Sequence, residues 1–310
     1  MLYWLVLFAQ RLAGVTPRRI RWFIGGAITE LVYWMWREKR IATEKNMSIV
    51  LDLPKTHPKV RQYARLSWRN YGHYVADLFD IANHPPSYYF DHAINFTNDE
   101  TSPDRRVLAA HALGKGVFVA TAHFGNWDIA GTLLAKLHPL YAIAEQMPDK
   151  KVNDLVQQQR KDMGMLLIFT GGALREMLRL LRAGEIIATP IDRPVPPNEG
   201  IPVTFFNHTA YVPRGLGAIA AKTGSAIVSG YVFYVTPNTY KAEVFDPIFI
   251  EKSGNDQQDA IDATQAMYTS LEQVIKENPT QWYMFRQFWP ESEITRHESD
   301  VHTKESEAAL

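Results

Sequence analysis

The chain has 310 residues, 46% of them apolar, with 33 basic and 33 acidic side chains and no cysteine. That is enough apolar sequence for one large globular core. The balanced charge argues against a bulk nucleic-acid binder, and the missing cysteines exclude disulfides, thiolate metal sites and a cysteine nucleophile.

Charge is unevenly spread: up to Asn70 basic residues exceed acidic ones by about nine, and the last twenty residues are net acidic. Residues 1–9 are almost wholly apolar, but Gln10 and Arg11 end the run well short of the roughly 20 residues a membrane span needs. The run has no positive n-region, so it does not read as a cleaved signal peptide. A second helix opens at Thr16-Pro-Arg-Arg. Its stretch Trp22–Trp36 is apolar apart from Thr29 and Glu30, and is flanked by Arg18, Arg19, Arg21, Arg37, Lys39 and Arg40. An aromatic belt with flanking cations is the pattern of an interfacial helix. It predicts a monotopic membrane anchor over residues 1–42, against the plainer alternative of two core helices.

Residues 43–84 read as helical. Over 59–79, Val60, Tyr63, Ala64, Leu66, Trp68, Tyr71, Tyr74, Val75, Leu78 and Phe79 fall at helical spacing, with His73 as a packed residue among them. Pro85-Pro86 breaks the pattern and 87–103 reads as loop or short strand. A helix follows over 104–113, then a strand over 117–122.

From 117 to 250, short apolar strands alternate with helices, which predicts an α/β layer structure. Strands are expected over 117–122, 140–145, 165–169 and 186–192, with helices over 127–137, 149–163 and 171–183. Residues 200–212 read as a hairpin, 213–223 as a helix, and 226–235 with 240–250 as a β-ribbon. The stretch 256–277 is an amphipathic helix, and the aromatic run 281–290 closes the domain. The fold expected is a mixed, largely buried central sheet flanked by helices, in a domain spanning 43–290. The tail 291–310, polar and acidic, reads as disordered.

The stretch that organises the rest is 117–131. Val117–Ala122 is apolar without alternation, as in a strand covered on both faces. Gly125 permits a positive φ, and Asn126 is an N-cap for the next helix. His123 then stands at the C-terminal end of a strand, where α/β sheets place their chemistry, with Asp128 in the first helical turn. A neutral imidazole is a suitable base for a hydroxyl proton. A carboxylate on its other nitrogen would fix the tautomer, and the turn predicts Asp128 for that part. His-x4-Asp alone equally suits a helix N-terminus with a favourable acid.

The full string His123-Phe-Gly-Asn-Trp-Asp-Ile-Ala-Gly131 resembles the signature block of the bacterial lipid A biosynthesis acyltransferases, within the His-x4-Asp/Glu glycerolipid acyltransferase superfamily. Its Asn-Trp-Asp form is most similar to the phosphatidylinositol mannoside acyltransferase branch. The resemblance runs over about 51–290 and includes Ala144-Glu145 with Pro148, Arg160 and Gly164, then Ile191-Asp192-Arg193, Gly200-Ile-Pro-Val-Thr-Phe-Phe206 and Pro213-Arg-Gly215. Pro202, Asn207 and the closing Met-Phe-Arg-Gln-Phe-Trp-Pro depart from it.

The resemblance implies an O-acyltransferase with His123 as base and Asp128 as its partner. Glu145 and Asp192, at strand ends beside His123, read as substrate-binding. Arg160, Arg193 and Arg214 read as partners for those acids or for phosphates, Arg214 beside a helix N-terminus. The implied donor is acyl-CoA or acyl carrier protein, with no tightly bound cofactor and no metal. The implied acceptor is a glycolipid or glycerolipid at the cytoplasmic face of the inner membrane. Two other classes stay open: a thioester or acyl-lipid hydrolase using the same dyad on water, and a non-catalytic lipid-binding protein. The absence of Gly-x-Ser-x-Gly disfavours a serine route. His138 and His208 read as structural.

Overall fold

The computed structural model describes residues 2–93, 102–169, 173–237 and 239–308. Four helices come first: α1 (Leu2–Val15), α2 (Arg18–Met35), α3 (Arg37–Leu51) and α4 (Pro58–Asp80). Helix α4 begins with Pro at its first position and His57 as N-cap, accepting from the Lys59 N–H. Helices α5 (Pro86–Asp91) and α6 (Asp104–Ala112) lead to the sheet. The former is helix where the sequence suggests loop or strand, and residues 94–101 of that stretch lie outside the described residues.

The sheet region then runs β1 (Val117–Thr121), α7 (Trp127–Leu137), β2 (Leu140–Ala144), α8 (Lys150–Asp162), β3 (Met165–Phe169), α9 (Ala173–Arg182) and β4 (Ile186–Pro190). It continues with β5 (Ile201–Phe205), β6 (His208–Val212), α10 (Gly215–Thr223), β7 (Ala226–Thr236), β8 (Thr239–Val244), α11 (Asp256–Glu277) and α12 (Glu291–Ala308). Six strands form one sheet in the order β3-β2-β4-β1-β7-β8, and β5-β6 is a separate hairpin. All neighbours in the large sheet are parallel except β7 and β8. It is the mixed α/β sheet expected from the alternation.

β1 is central, and Val117 to Ala120 are all buried. Its alternate residues feed two apolar clusters, one on each sheet face. Phe118 and Ala120 pack with α10, α11 and the hairpin, while Val117 and Val119 pack toward α6 and α7. This explains the non-alternating strand sequence: both faces need apolar groups.

The N-terminal helices are docked on this core. Glycines at the crossing bring α2 and α4 together: a Cβ on Gly25 would lie 2.5 Å from the Gly72 carbonyl oxygen. Arg18 donates to Asp77 at 2.6 Å, Arg21 pairs with Asp80, and the Trp22 indole donates to Asp77 at 3.0 Å. Helix α3 runs through residue 42, where the sequence reading set a boundary.

The acidic tail corrects the expectation of disorder. Residues 291–308 form α12, with Ile294, His297 and Val301 buried. Lys45 binds Glu291 at 2.7 Å, and Lys304 binds Asp52 at 2.8 Å. These three buried residues lie three and four apart, enough to anchor one face once a surface is there to receive it.

Candidate active site

The site grows from the register of two strands. β1 and β4 are parallel neighbours with Thr121 opposite Pro190. Two residues beyond each strand stand His123 and Asp192, so both leave the sheet at the same level. The Ile191 N–H continues the ladder by donating to the Thr121 carbonyl at 2.8 Å. Between β1 and α7, Gly125 has φ +58°, and a Cβ there would lie 2.1 Å from the Val232 carbonyl oxygen. Only glycine fits this turn. Asn126 caps α7, accepting from the Ile129 N–H at 3.1 Å.

His123 bonds to Asp192, not to Asp128. Its Nδ1 lies 2.9 Å from Asp192 Oδ1, and its backbone N–H donates to both carboxylate oxygens at 3.1 and 3.0 Å. The Trp282 indole adds a further donor at 3.0 Å. A carboxylate only accepts, so Nδ1 carries the proton and Nε2 holds the lone pair of the neutral ring.

The imidazole is 47% accessible, but that access opens into a cavity whose walls surround it. Burial alone would lower the His123 pKa. The charge and hydrogen bond of Asp192 outweigh it and hold the ring above its ordinary value. Burial would likewise raise Asp192, yet His123 and the Trp282 donor bring it below the usual carboxylate range.

Asp128 is occupied elsewhere. Arg160 of α8 clamps it through Nε at 2.7 Å and Nη2 at 3.3 Å, and the Tyr74 hydroxyl donates at 2.7 Å. Asp128 is 3% exposed and Arg160 17%, so the pair stands in a low-dielectric setting with its bonds satisfied. Burial and the adjacent carboxylate push the Tyr74 hydroxyl well above its ordinary pKa, which keeps it a donor. The Tyr74 ring also packs on Trp127 at 3.9 Å between centroids, and Trp127 lies edge-on to the His123 ring at 5.2 Å. Asp128 therefore anchors the first turn of α7 and, through Trp127, one wall beside His123.

Glu145 directly follows β2, and Arg193 follows Asp192. They pair at 3.5 Å with side chains 68% and 57% exposed, a contact of small energy but at the cavity mouth. Arg214 does not join them: it is exposed at the start of α10 and outside the cavity lining. Sequence reasoning missed Trp282, Tyr74 and Arg286, which also lines the cavity. Tyr74 belongs to the helical apolar stripe, which signals burial but not a hydroxyl donor; Arg286 is the lone charge in an aromatic run.

The cavity has a volume of about 790 Å³. Its floor is one sheet face made shallow by small residues, Ala142, Ala144, Ala188, Gly230 and Ala242. Its roof is Val75 and Leu78 of α4, Val107 of α6 and Gly131, Leu133 and Leu134 of α7. Among the described residues no cluster of three or more His, Asp or Glu suits a metal ion.

A histidine–carboxylate pair at parallel strand ends, opening on a largely apolar cavity, is the arrangement of an enzyme site that takes an apolar substrate. The chain belongs to the bacterial lipid A biosynthesis acyltransferase family, whose model matches residues 1–291. It is an acyltransferase acting on lipids. Among curated proteins it is similar to the phosphatidylinositol mannoside acyltransferase of Mycobacterium tuberculosis strain H37Rv, with 26% identity over 257 residues, 79% of this chain and 75% of that one. The protein of the same name from Mycolicibacterium smegmatis is 25% identical over 181 residues, 57% of each chain.

Proposed function

We propose that this protein is a membrane-associated O-acyltransferase, moving a fatty acyl group from a coenzyme A or carrier-protein thioester to a hydroxyl of a glycolipid or glycerolipid. The observation that carries the reading is the bond between His123 Nδ1 and buried Asp192 at the rim of an apolar cavity. Nε2 takes the proton of the acceptor hydroxyl as its oxygen attacks the thioester carbonyl. The tetrahedral intermediate collapses with loss of the C–S bond, and the proton on Nε2 leaves with the thiolate. Asp192 holds the tautomer and stabilises the imidazolium formed in between. The hydrocarbon chain lies over the small residues of the sheet, whose burial of methylenes contributes about 0.8 kcal/mol each.

The membrane assignment is supported by the outer faces of α1 and α2. Trp4, Leu5, Phe8 and Val15 on the first, and Ile20, Phe23, Ile24, Ile28, Leu31 and Met35 on the second, are all exposed, several by more than 60%. On α2 they recur every three or four residues, opposite the face that Trp22, Gly26 and Tyr33 bury against α4. Among the described residues no helix is long and apolar enough to cross a membrane. The pattern is that of a helix lying in the interface, and the mannoside acceptor named in the relatives fits such a surface.

The test is incubation of the purified protein with acyl-CoA or acyl carrier protein and mixed bacterial lipids, followed by mass spectrometry. An added acyl group on one lipid class, lost in His123→Ala, is expected. Free fatty acid without acylated lipid would assign the same dyad to hydrolysis instead.

A further inference from the structure

A second cavity adjoins the first. It has a volume of about 610 Å³ and is lined by Arg37, Glu38, Lys39, Ile41 and Ala42 of α3 together with Arg286 and Gln287. Arg286 lines both cavities. We propose that this second cavity binds the phosphate of an anionic lipid head group, through Arg37, Lys39 and Arg286, and holds that lipid beside His123.

Three observations support the assignment. First, its arginines are uncommitted. Among the described residues the guanidinium groups of Arg37 and Arg286 make no ion pair or hydrogen bond. This contrasts with Arg160, saturated by Asp128. Glu38, the one acid in the lining, is 81% exposed and 3.8 Å from Lys39, so it offsets at most that lysine.

Second, hydrogen bonds tie the frame together. Asn46 of α3 donates to the carbonyls of Met284 at 3.0 Å and Arg286 at 2.7 Å, and accepts from the Phe288 N–H at 2.9 Å. Lys45 holds Gln287 at 3.2 Å. The segment bearing Arg286 is thus tied to the helix bearing Arg37, and the cations are presented without ordering the backbone on binding.

Third, the surroundings favour a lipid as the source of the phosphate. Arg37 directly follows the exposed Trp34, Met35 and Trp36, so the cations stand where an interfacial helix ends. Arginine forks match phosphate oxygens bidentately, and a head group there would have its tails along α2 and its polar end toward the cavity shared by Arg286. The proposal rests on the acyl-transfer reading only in making this lipid the acceptor.

The test is calorimetric titration of the full chain with dihexanoylphosphatidylglycerol below its micelle concentration, beside adenosine 3′,5′-bisphosphate as the nucleotide end of coenzyme A. The proteins compared are wild type, Arg37→Gln/Arg286→Gln, and Arg175→Gln, which removes one exposed charge from α9. The double variant is expected to bind the lipid at least about tenfold more weakly, from loss of two charge-assisted contacts, with Arg175→Gln unchanged. Lipid affinity within twofold of wild type in the double variant, or an equal fall in Arg175→Gln, would overturn the site. A fall confined to the nucleotide would reassign it to the thioester carrier. Binding is read without turnover. Arginine-dependent lipid binding by a protein that transfers no acyl group would therefore sink the acyl-transfer reading and leave this site standing.

Discussion

Replacing Asp192 by asparagine tests the site most directly, because it changes charge and not shape. The carboxylate is fully buried and receives three donors: the His123 N–H, His123 Nδ1 and the Trp282 indole. An asparagine has one acceptor oxygen and one NH2 group, so they cannot all be kept. With the oxygen on Nδ1, the NH2 group meets the Trp282 N–H. With the amide turned over, NH2 donates to Nδ1, the tautomer reverses, and Nε2 carries the proton it needs to accept. The first arrangement leaves a buried donor unsatisfied, which costs about 1–3 kcal/mol of stability. The second removes the base, worth about 10²- to 10⁴-fold in rate.

The pH dependence has a definite sign. In the proposed mechanism the base works neutral, so kcat/KM is expected to rise with pH through the His123 pKa, which Asp192 holds above the ordinary 6.5. Loss of the carboxylate charge lowers that pKa, so the acidic limb of the variant moves to lower pH while its plateau falls. The assay is thioester consumption with a lipid acceptor from pH 5 to 9, with a thermal melt as fold control. A folded Asp192→Asn protein with wild-type kcat/KM and an unmoved limb would refute the reasoning.

Asp128→Asn separates the two acids. It strips a buried arginine of its counter-charge, for which a loss of about 3–5 kcal/mol is expected, read as a fall in Tm, while the acidic limb set by His123 stays in place. A variant with unchanged Tm and a shifted limb would instead make Asp128 the partner of the imidazole. On α2, Phe23→Glu with Ile28→Glu removes two exposed apolar side chains worth about 1.5–3 kcal/mol each on burial in lipid. Vesicle sedimentation is expected to fall at least about tenfold with Tm unchanged; undiminished sedimentation would refute an interfacial α2.

Local pattern was sufficient for much of this. The apolar, non-alternating Val117–Ala122, a glycine able to adopt positive φ and an N-capping Asn126 together describe a strand, a tight turn and a helix. These local signals suffice to place His123 at a strand end. The helices α4, α8 and α11 follow in the same way from periodicity and caps. Side-chain pairing between distant segments has no such local signal. Asp128 stands five residues from His123 and Asp192 sixty-nine, yet the nearer acid turns to Arg160 and Tyr74 because those groups converge on it from α8 and α4.

Arg214 illustrates the reverse case: its place at a helix start can be read from sequence, but that this start lies outside the cavity cannot. The acidic tail reads as disordered because its apolar residues are few, and it is helical because it packs against α3 and meets the hairpin at His208, burying Ile294, His297 and Val301. The sequence by itself determined the strands, the helices and the turn that presents His123, since these depend on residues within a few positions of one another. Only the tertiary structure decided which acid holds the imidazole, because that depends on β4 lying beside β1 in parallel register, so that both chains leave the sheet at one level.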